Sequence, residues 1–152
     1  MVRTKLAIAF LVVSFLGFLD STYLTIKHYQ GEVPPCSIIH GCEVVTTSKY
    51  SEIAGISVAL LGALFYLAIL LLAIGYIDSK KASVLKIICY LTPVGFVMSL
   101  WFLFVQAVLL KAYCQYCLFS AVTSTALFGM GMVTLWKERQ KSSIPEIKNP
   151  PM

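Results

Sequence analysis

The sequence predicts an all-α integral membrane protein, a bundle of four transmembrane helices, and three observations carry that reading. Of its 152 residues 59% are hydrophobic and only 12% are charged, where a soluble domain carries about 25% charged residues. Its mean hydropathy is +0.84. Four apolar runs long enough to cross a bilayer follow one another along the chain. So much apolar surface cannot be hidden in a water-facing fold, and four buried helices in a soluble protein would leave too few polar faces. Lipid is the solvent, and the chain has room for a single small membrane domain.

The first run extends from Leu6 to roughly Ile26 and is uncharged as far as Leu19. It is longer than the apolar core of a signal peptide and has no clear small-residue cleavage site, so it reads as a retained anchor helix. The other three runs, Ile53–Ile77, Ile87–Leu110 and Ala112–Trp136, contain no charged residue. About 20 apolar residues rising ~1.5 Å each cover the ~30 Å hydrocarbon core. Helices are expected because each backbone polar group must be satisfied within its own segment. The expected division is a short N-terminus (1–5), the four-helix region (6–136, with a loop over about 29–52) and a polar tail (137–152).

Basic residues set the expected orientation. Arg3, Lys5, Lys80, Lys81, Lys86, Lys137, Arg139, Lys141 and Lys148 fall on one side of the spans; Lys27, Lys49 and Lys111 fall on the other. The excess belongs inside, so both termini are expected in the cytoplasm of a multi-pass cell-membrane protein. The net charge of +5 then serves topology and implies no nucleic-acid partner. Tyr76 and Trp136 fit an aromatic belt at the cytoplasmic interface.

With that orientation, Cys36, Cys42, Cys114 and Cys117 lie on the outer face, where disulfides persist. Cys89, near the cytoplasmic end of the third run, reads as a small hydrophobe and receives no role. Cys114 and Cys117 form a Cys-x-x-Cys where the third and fourth runs meet. If the fourth helix begins near Cys114, both sulfurs share one helical face. The unsatisfied amides of the helix end favour a thiolate there, and Lys111 adds a nearby positive charge. This motif alone fits either a redox centre or an inert structural disulfide.

The second pair sits in "QGEVPPCSIIHGCEVVTTSKYSEIAG". Pro34 and Pro35 stiffen the approach to Cys36, and Gly41 permits a sharp turn before Cys42. Ile38, Ile39, Val44 and Val45 supply apolar patches able to rest on the bundle. Two pairs on one face allow thiol–disulfide exchange along a chain of sulfurs. Four cysteines can also make a tetrahedral zinc site, but one pair is too loosely spaced for a usual knuckle, and no metal is expected. His40 could tune Cys42 or simply be solvated, and His28 reads as an interfacial side chain. Asp20, within the first run, is a costly membrane-level carboxylate. Contact with the loop, a place on a cavity wall and a headgroup-level position are all open to it.

Several stretches taken in order resemble the vitamin K epoxide reductase family: "YLTIKHY" closing the first run, Cys36-x5-Cys42, "CEVVTTS" from Cys42 to Ser48, "LLGALFY" in the second run and "YCQYCLF" opening the fourth. The likeness covers roughly residues 6–136. It implies a four-helix bundle around a quinone of ubiquinone or menaquinone type, capped by the outer loop. It implies that Cys117 lies nearest the quinone, that Cys114 is its disulfide partner, that Cys42 relays electrons to Cys114, and that Cys36 exchanges with an outside protein. Ser48 matches a family serine that hydrogen-bonds near the quinone ring. Val58 and Ala121 stand where the animal enzymes carry an asparagine and a tyrosine, which points away from vitamin K epoxide as substrate.

Some prokaryotic members carry a fused thioredoxin-like domain. The tail "WKERQKSSIPEIKNPP" leaves no room for one, so the expected partner is a separate thioredoxin-like (DsbA-type) protein. The function implied is oxidation of that partner with electrons passed to a membrane quinone. Two alternatives remain: reduction of vitamin K quinone or epoxide by the same fold, and a non-enzymatic scaffold stapled by two inert disulfides.

Overall fold

A computed structural model describes residues 2–38 and 41–143. Ile39, His40, Lys148 and the end of the polar tail lie outside the described residues. Four long helices are apolar enough to cross a membrane: α1 (Val2–Gln30), α3 (Val58–Ser79), α4 (Ala82–Phe104) and α5 (Gln115–Ser143). A short helix, α2 (Cys42–Thr46), lies in the connection between α1 and α3. The protein is a four-helix membrane bundle. α1 packs on α3 and α5, and α4 packs on α3 and α5, so the four close into a ring.

The helices begin and end where backbone chemistry dictates. The second apolar run does not enter its helix at Ile53. Glu52–Ile53 and Ile56–Ser57 instead form a two-stranded antiparallel hairpin (β1, β2), turned by Ala54 and Gly55 with φ of 54° and 79°. Two successive positive φ values suit a tight hairpin turn, and α3 starts only after it. α3 stops at Lys80, whose left-handed conformation (φ 52°) lets its N–H reach the Tyr76 carbonyl. α4 begins at Ala82, so the connection is very short.

Several hydroxyls inside the spans are satisfied by the carbonyls of their own helix, as an apolar solvent demands. Pro93 lacks the N–H that the Cys89 carbonyl would otherwise accept. The Thr92 hydroxyl takes its place, donating to that carbonyl at 3.0 Å. Ser14, Thr25 and Thr134 likewise donate to carbonyls three or four residues back. At its far end α4 loosens into a π-helical stretch, Val105–Leu110, closed by Lys111 at φ 48°.

Phe10, Tyr66, Ile69, Leu85, Ile88 and Leu127 form the buried core, while Ile8, Val12, Leu16, Leu71 and Val97 face outward. Outward-facing aliphatic side chains are what lipid, not water, tolerates. Small residues allow the close approaches: any Cβ at Gly17 would strike the Tyr66 ring, and one at Gly95 the Phe65 ring. Tyr76 corrects the aromatic-belt expectation, being 4% exposed and part of the core, whereas Trp136 is 64% exposed. Tyr76 sits on the same face of α3 as Ile69 and Ala73, and that face is turned inward. Cys89 lies in the core beside Leu85 and Ile88, far along α4 from the other cysteines, and is a free thiol.

Candidate functional site

The end of the bundle nearest residues 111–114 is built by local backbone choices. Gly41 precedes α2 with φ 145°, and a Cβ there would come within 2.9 Å of the Tyr113 carbonyl oxygen and 3.1 Å of Ala112. The absent side chain lets α2 settle directly on the 112–113 backbone, and this seats Cys42 beside Cys114. Hydroxyls finish the short helix. Thr46 donates to the Cys42 carbonyl at 2.7 Å, Thr47 to Glu43 at 2.7 Å and Ser48 to Val45 at 2.8 Å, covering the carbonyls a helix end leaves open.

α2 turns Cys42 and Val45 inward, one helical turn apart, and leaves Val44 outside. The expectation that the loop's apolar residues rest on the bundle therefore holds for Val45 alone among those described. Val44 is 48% and Ile38 83% exposed. In a helix of five residues, adjacent side chains point in different directions, so Val44 and Val45 cannot share the inner face.

Four of the five cysteines come together. Cys42, Val45 and Cys114 form a small buried cluster, with Cys36 and Cys117 packed against it. Cys36 and Cys42 are joined as a disulfide, with Cα atoms 6.1 Å apart, while Cys114 and Cys117 are free. The two residues inside the Cys-x-x-Cys are structural clamps. Tyr116 donates its hydroxyl to the Pro35 carbonyl at 3.2 Å, and the Gln115 side-chain carbonyl accepts the Ile38 N–H at 3.3 Å. They grip the chain on either side of Cys36. Tyr116 also packs on Tyr23 of α1, ring centres 5.4 Å apart.

Cys114 sits just before α5, and its carbonyl accepts the Leu118 N–H at 3.0 Å. Its own N–H donates to Oε1 of Gln106 at 3.0 Å. The Cys117 thiol hydrogen-bonds to its sulfur and, against the opposing effect of burial and with help from the Cys117 and Tyr116 amides, brings the Cys114 thiol down to about 7. The helix-start amides thus act as their position suggests. Lys111, exposed at the turn, is not among the groups responsible.

Beside this cluster lies a cavity of about 270 Å³ lined by residues of all four long helices and the loop. Of the four clustered cysteines, Cys117 lines it. Its wall is apolar except for a few hydrogen-bonding groups. Tyr66 donates its hydroxyl to the Ser120 carbonyl at 2.8 Å and lies 2.8 Å from the Thr123 hydroxyl. His28 is 3.0 Å from a Glu52 carboxylate oxygen, which ties the end of α1 to the hairpin. Gln106 is fully buried, and its Nε2 has no hydrogen-bond partner among the described residues. Ser48 does not line the cavity; Val45 and Thr46, the first of which its hydroxyl holds by the carbonyl, do.

These residues fit a quinone headgroup. The volume is below the about 300–1,000 Å³ of pockets that swallow a whole drug-sized ligand, and so suits a ring whose tail stays in lipid. A buried amide donor without a partner is costly, and a quinone carbonyl has the acceptor oxygen such a donor needs. The sequence reading overlooked Gln106, Gln115, Tyr116 and Tyr66. Gln106 had a signal: it is the one carboxamide in the third apolar run, where an unpaired amide is expensive. Gln115 and Tyr116 carried none, since their partners lie about 80 residues away in the chain.

Compared with known families, residues 8–132 match the family model described as "Vitamin K epoxide reductase family". No curated protein matches the chain.

Proposed function

The chain belongs to the vitamin K epoxide reductase family, a family of membrane oxidoreductases, and from that premise we propose that it oxidises a thioredoxin-like partner and passes the electrons to a membrane quinone. The observation that carries this reading is the juxtaposition of four cysteines with a cavity that only the last of them lines.

The relay follows from accessibility. Cys36 is half-buried beside the exposed Ile38, while Cys42 and Cys114 are buried. A partner dithiol therefore meets Cys36 first, and exchange needs an accessible sulfur. Attack on Cys36 opens the Cys36–Cys42 disulfide, and resolution leaves the partner oxidised and the loop pair reduced. Cys42 then attacks Cys114 of a Cys114–Cys117 disulfide, and Cys36 closes back on Cys42. The result is a joined loop pair and a free Cys114 and Cys117, the bonding seen in this structure. Bound in the cavity, a quinone supplies the two-electron, two-proton acceptor. Cys117 delivers the electrons from the cavity wall, Gln106 donates to a ring carbonyl, and the apolar lining keeps water out. Ser48 serves by holding the Val45 carbonyl, and through it the wall at Val45 and Thr46.

This chemistry joins a water-borne thiol to a lipid-borne acceptor, so the cysteines belong at the membrane surface. The split of basic residues, nine on one side and three on the other, supports a topology with the termini in the cytoplasm and the cysteine cluster outside. After mild reduction, a membrane-impermeant maleimide is expected to label Cys36 in intact cells. Labelling that appears only after permeabilisation reverses the topology and removes the oxidative role with it.

The test of the function is purified protein, a soluble short-chain quinone and a reduced thioredoxin-like protein, with quinone absorbance as the readout. Quinone consumed in step with partner disulfide formed supports the reading. Quinone left unreduced while both cysteine pairs resist mild thiol would leave only a stapled scaffold.

A further inference from the structure

One ionisable group inside the bundle has no part in the electron relay. Asp20 lies on α1, and its Oδ2 is buried without a hydrogen-bond partner among the described residues. A carboxylate at membrane depth is costly and faces protein or a cavity. Four titratable side chains from other parts of the fold interact with it electrostatically: Cys114 before α5, Tyr116 and Cys117 on α5, and Tyr66 on α3. The Tyr23–Tyr116 ring contact holds this stretch of α1 against the first turn of α5. The Tyr66 hydroxyl lies 3.2 Å from the Ser120 hydroxyl, and both residues line the cavity. Asp20 thus lies within electrostatic reach of the dithiol and of Tyr66, whose hydroxyl joins those of Ser120 and Thr123.

Closing the Cys114–Cys117 disulfide breaks two S–H bonds, forms one S–S bond and releases two electrons and two protons. Both electrons and both protons end on the quinone oxygens, giving the quinol. Cys117 lines the cavity and can hand its proton over directly. Cys114 does not line it and needs a carrier. An unpartnered carboxylate oxygen has the free lone pairs to be one.

We propose, on the strength of the thiol-to-quinone reading, that Asp20 accepts the Cys114 proton as the disulfide forms and passes it towards the cavity by way of Tyr66 and Ser120. Handing one proton between Cys114 and Asp20 leaves the pair's total charge unchanged, so the transfer places no extra charge in the low-dielectric interior.

The test uses the full-length protein with Asp20→Asn and Asp20→Glu. The first readout needs no quinone. In the infrared difference between the reduced and chemically oxidised protein, the wild type is expected to show a protonated-carboxyl band that changes with redox state. That band shifts in Asp20→Glu and is missing in Asp20→Asn. In the second readout, oxidation of the pre-reduced protein by a short-chain quinone slows about 10²–10⁴-fold in Asp20→Asn and is largely restored in Asp20→Glu. Exchange of Asp20→Asn with a small dithiol stays at the wild-type rate. The proposal falls if Asp20→Asn reduces quinone normally, if the carboxyl band persists in it, or if thiol exchange is lost together with quinone reduction. A wild type that leaves quinone unreduced sinks the oxidoreductase reading instead, and the infrared result still judges Asp20.

Discussion

Cys114→Ala and Cys117→Ala are expected to lose quinone reduction by at least about 10³-fold, whether the electrons come from a small dithiol or from a thioredoxin-like protein. Cys36→Ala and Cys42→Ala are expected to lose it only with the protein donor. The difference follows from where each sulfur lies. Cys117 is on the cavity wall and Cys114 is beside it in the buried cluster, so without either there is no dithiol to surrender two electrons. In the proposed relay the loop pair carries electrons inward from a bulky partner. Cys114 is buried against that pair, and trimming Cys36 or Cys42 to Ala is expected to open it to a small thiol, which needs no docking surface. Cys89→Ala, deep in the core beside Leu85, should change neither rate. The measurement is quinone absorbance for each donor across the five variants. Loop variants that fail with both donors, or a Cys114 or Cys117 variant that keeps turning over, would show that the relay is drawn wrongly.

The second large effect belongs to Gln106→Leu. Its Nε2 is the buried donor without a partner, and its Oε1 already holds the Cys114 N–H. Removing the donor leaves a quinone carbonyl unsatisfied in a dry cavity, which costs about 1–3 kcal/mol, or about 5- to 150-fold in affinity. The KM for quinone should rise by that amount, while the KM for the thiol donor should change little. An unchanged quinone KM would mean that the headgroup meets the wall elsewhere.

The fold was almost entirely legible in the sequence, and the site only partly. Four uninterrupted apolar runs admit few structures other than four membrane-crossing helices, because the backbone has no other way to satisfy itself in lipid. The helix starts were less legible. Ile53 looks like any other apolar residue opening a run, and only the turn at Ala54 and Gly55 delays α3 to Val58. Among the site residues, the two cysteine pairs announce themselves by spacing. The contacts that bring them together do not. The Gly41–Tyr113 approach and the grip of Gln115 and Tyr116 on the chain around Cys36 join distant segments, and one chain alone carries no record of which segments meet. Tyr76 misled for a related reason, since an aromatic residue near a span end suits an interface and a helix–helix seam equally well.

The π-helical stretch at Val105–Leu110 bears on how this chain tolerates change in length. A π turn takes up one more residue than the α turn it replaces, and such bulges gather at functional sites. Deleting a single residue there would leave a span that still reaches across the membrane and still inserts. Its last turn would tighten to the α form, which keeps the chain on either side in register but respaces the residues within the turn. The spacing between Gln106 and Cys114 would change, and with it the hydrogen bond that joins them. A chain shortened by that one codon is expected to insert and fold, with the change confined to the site.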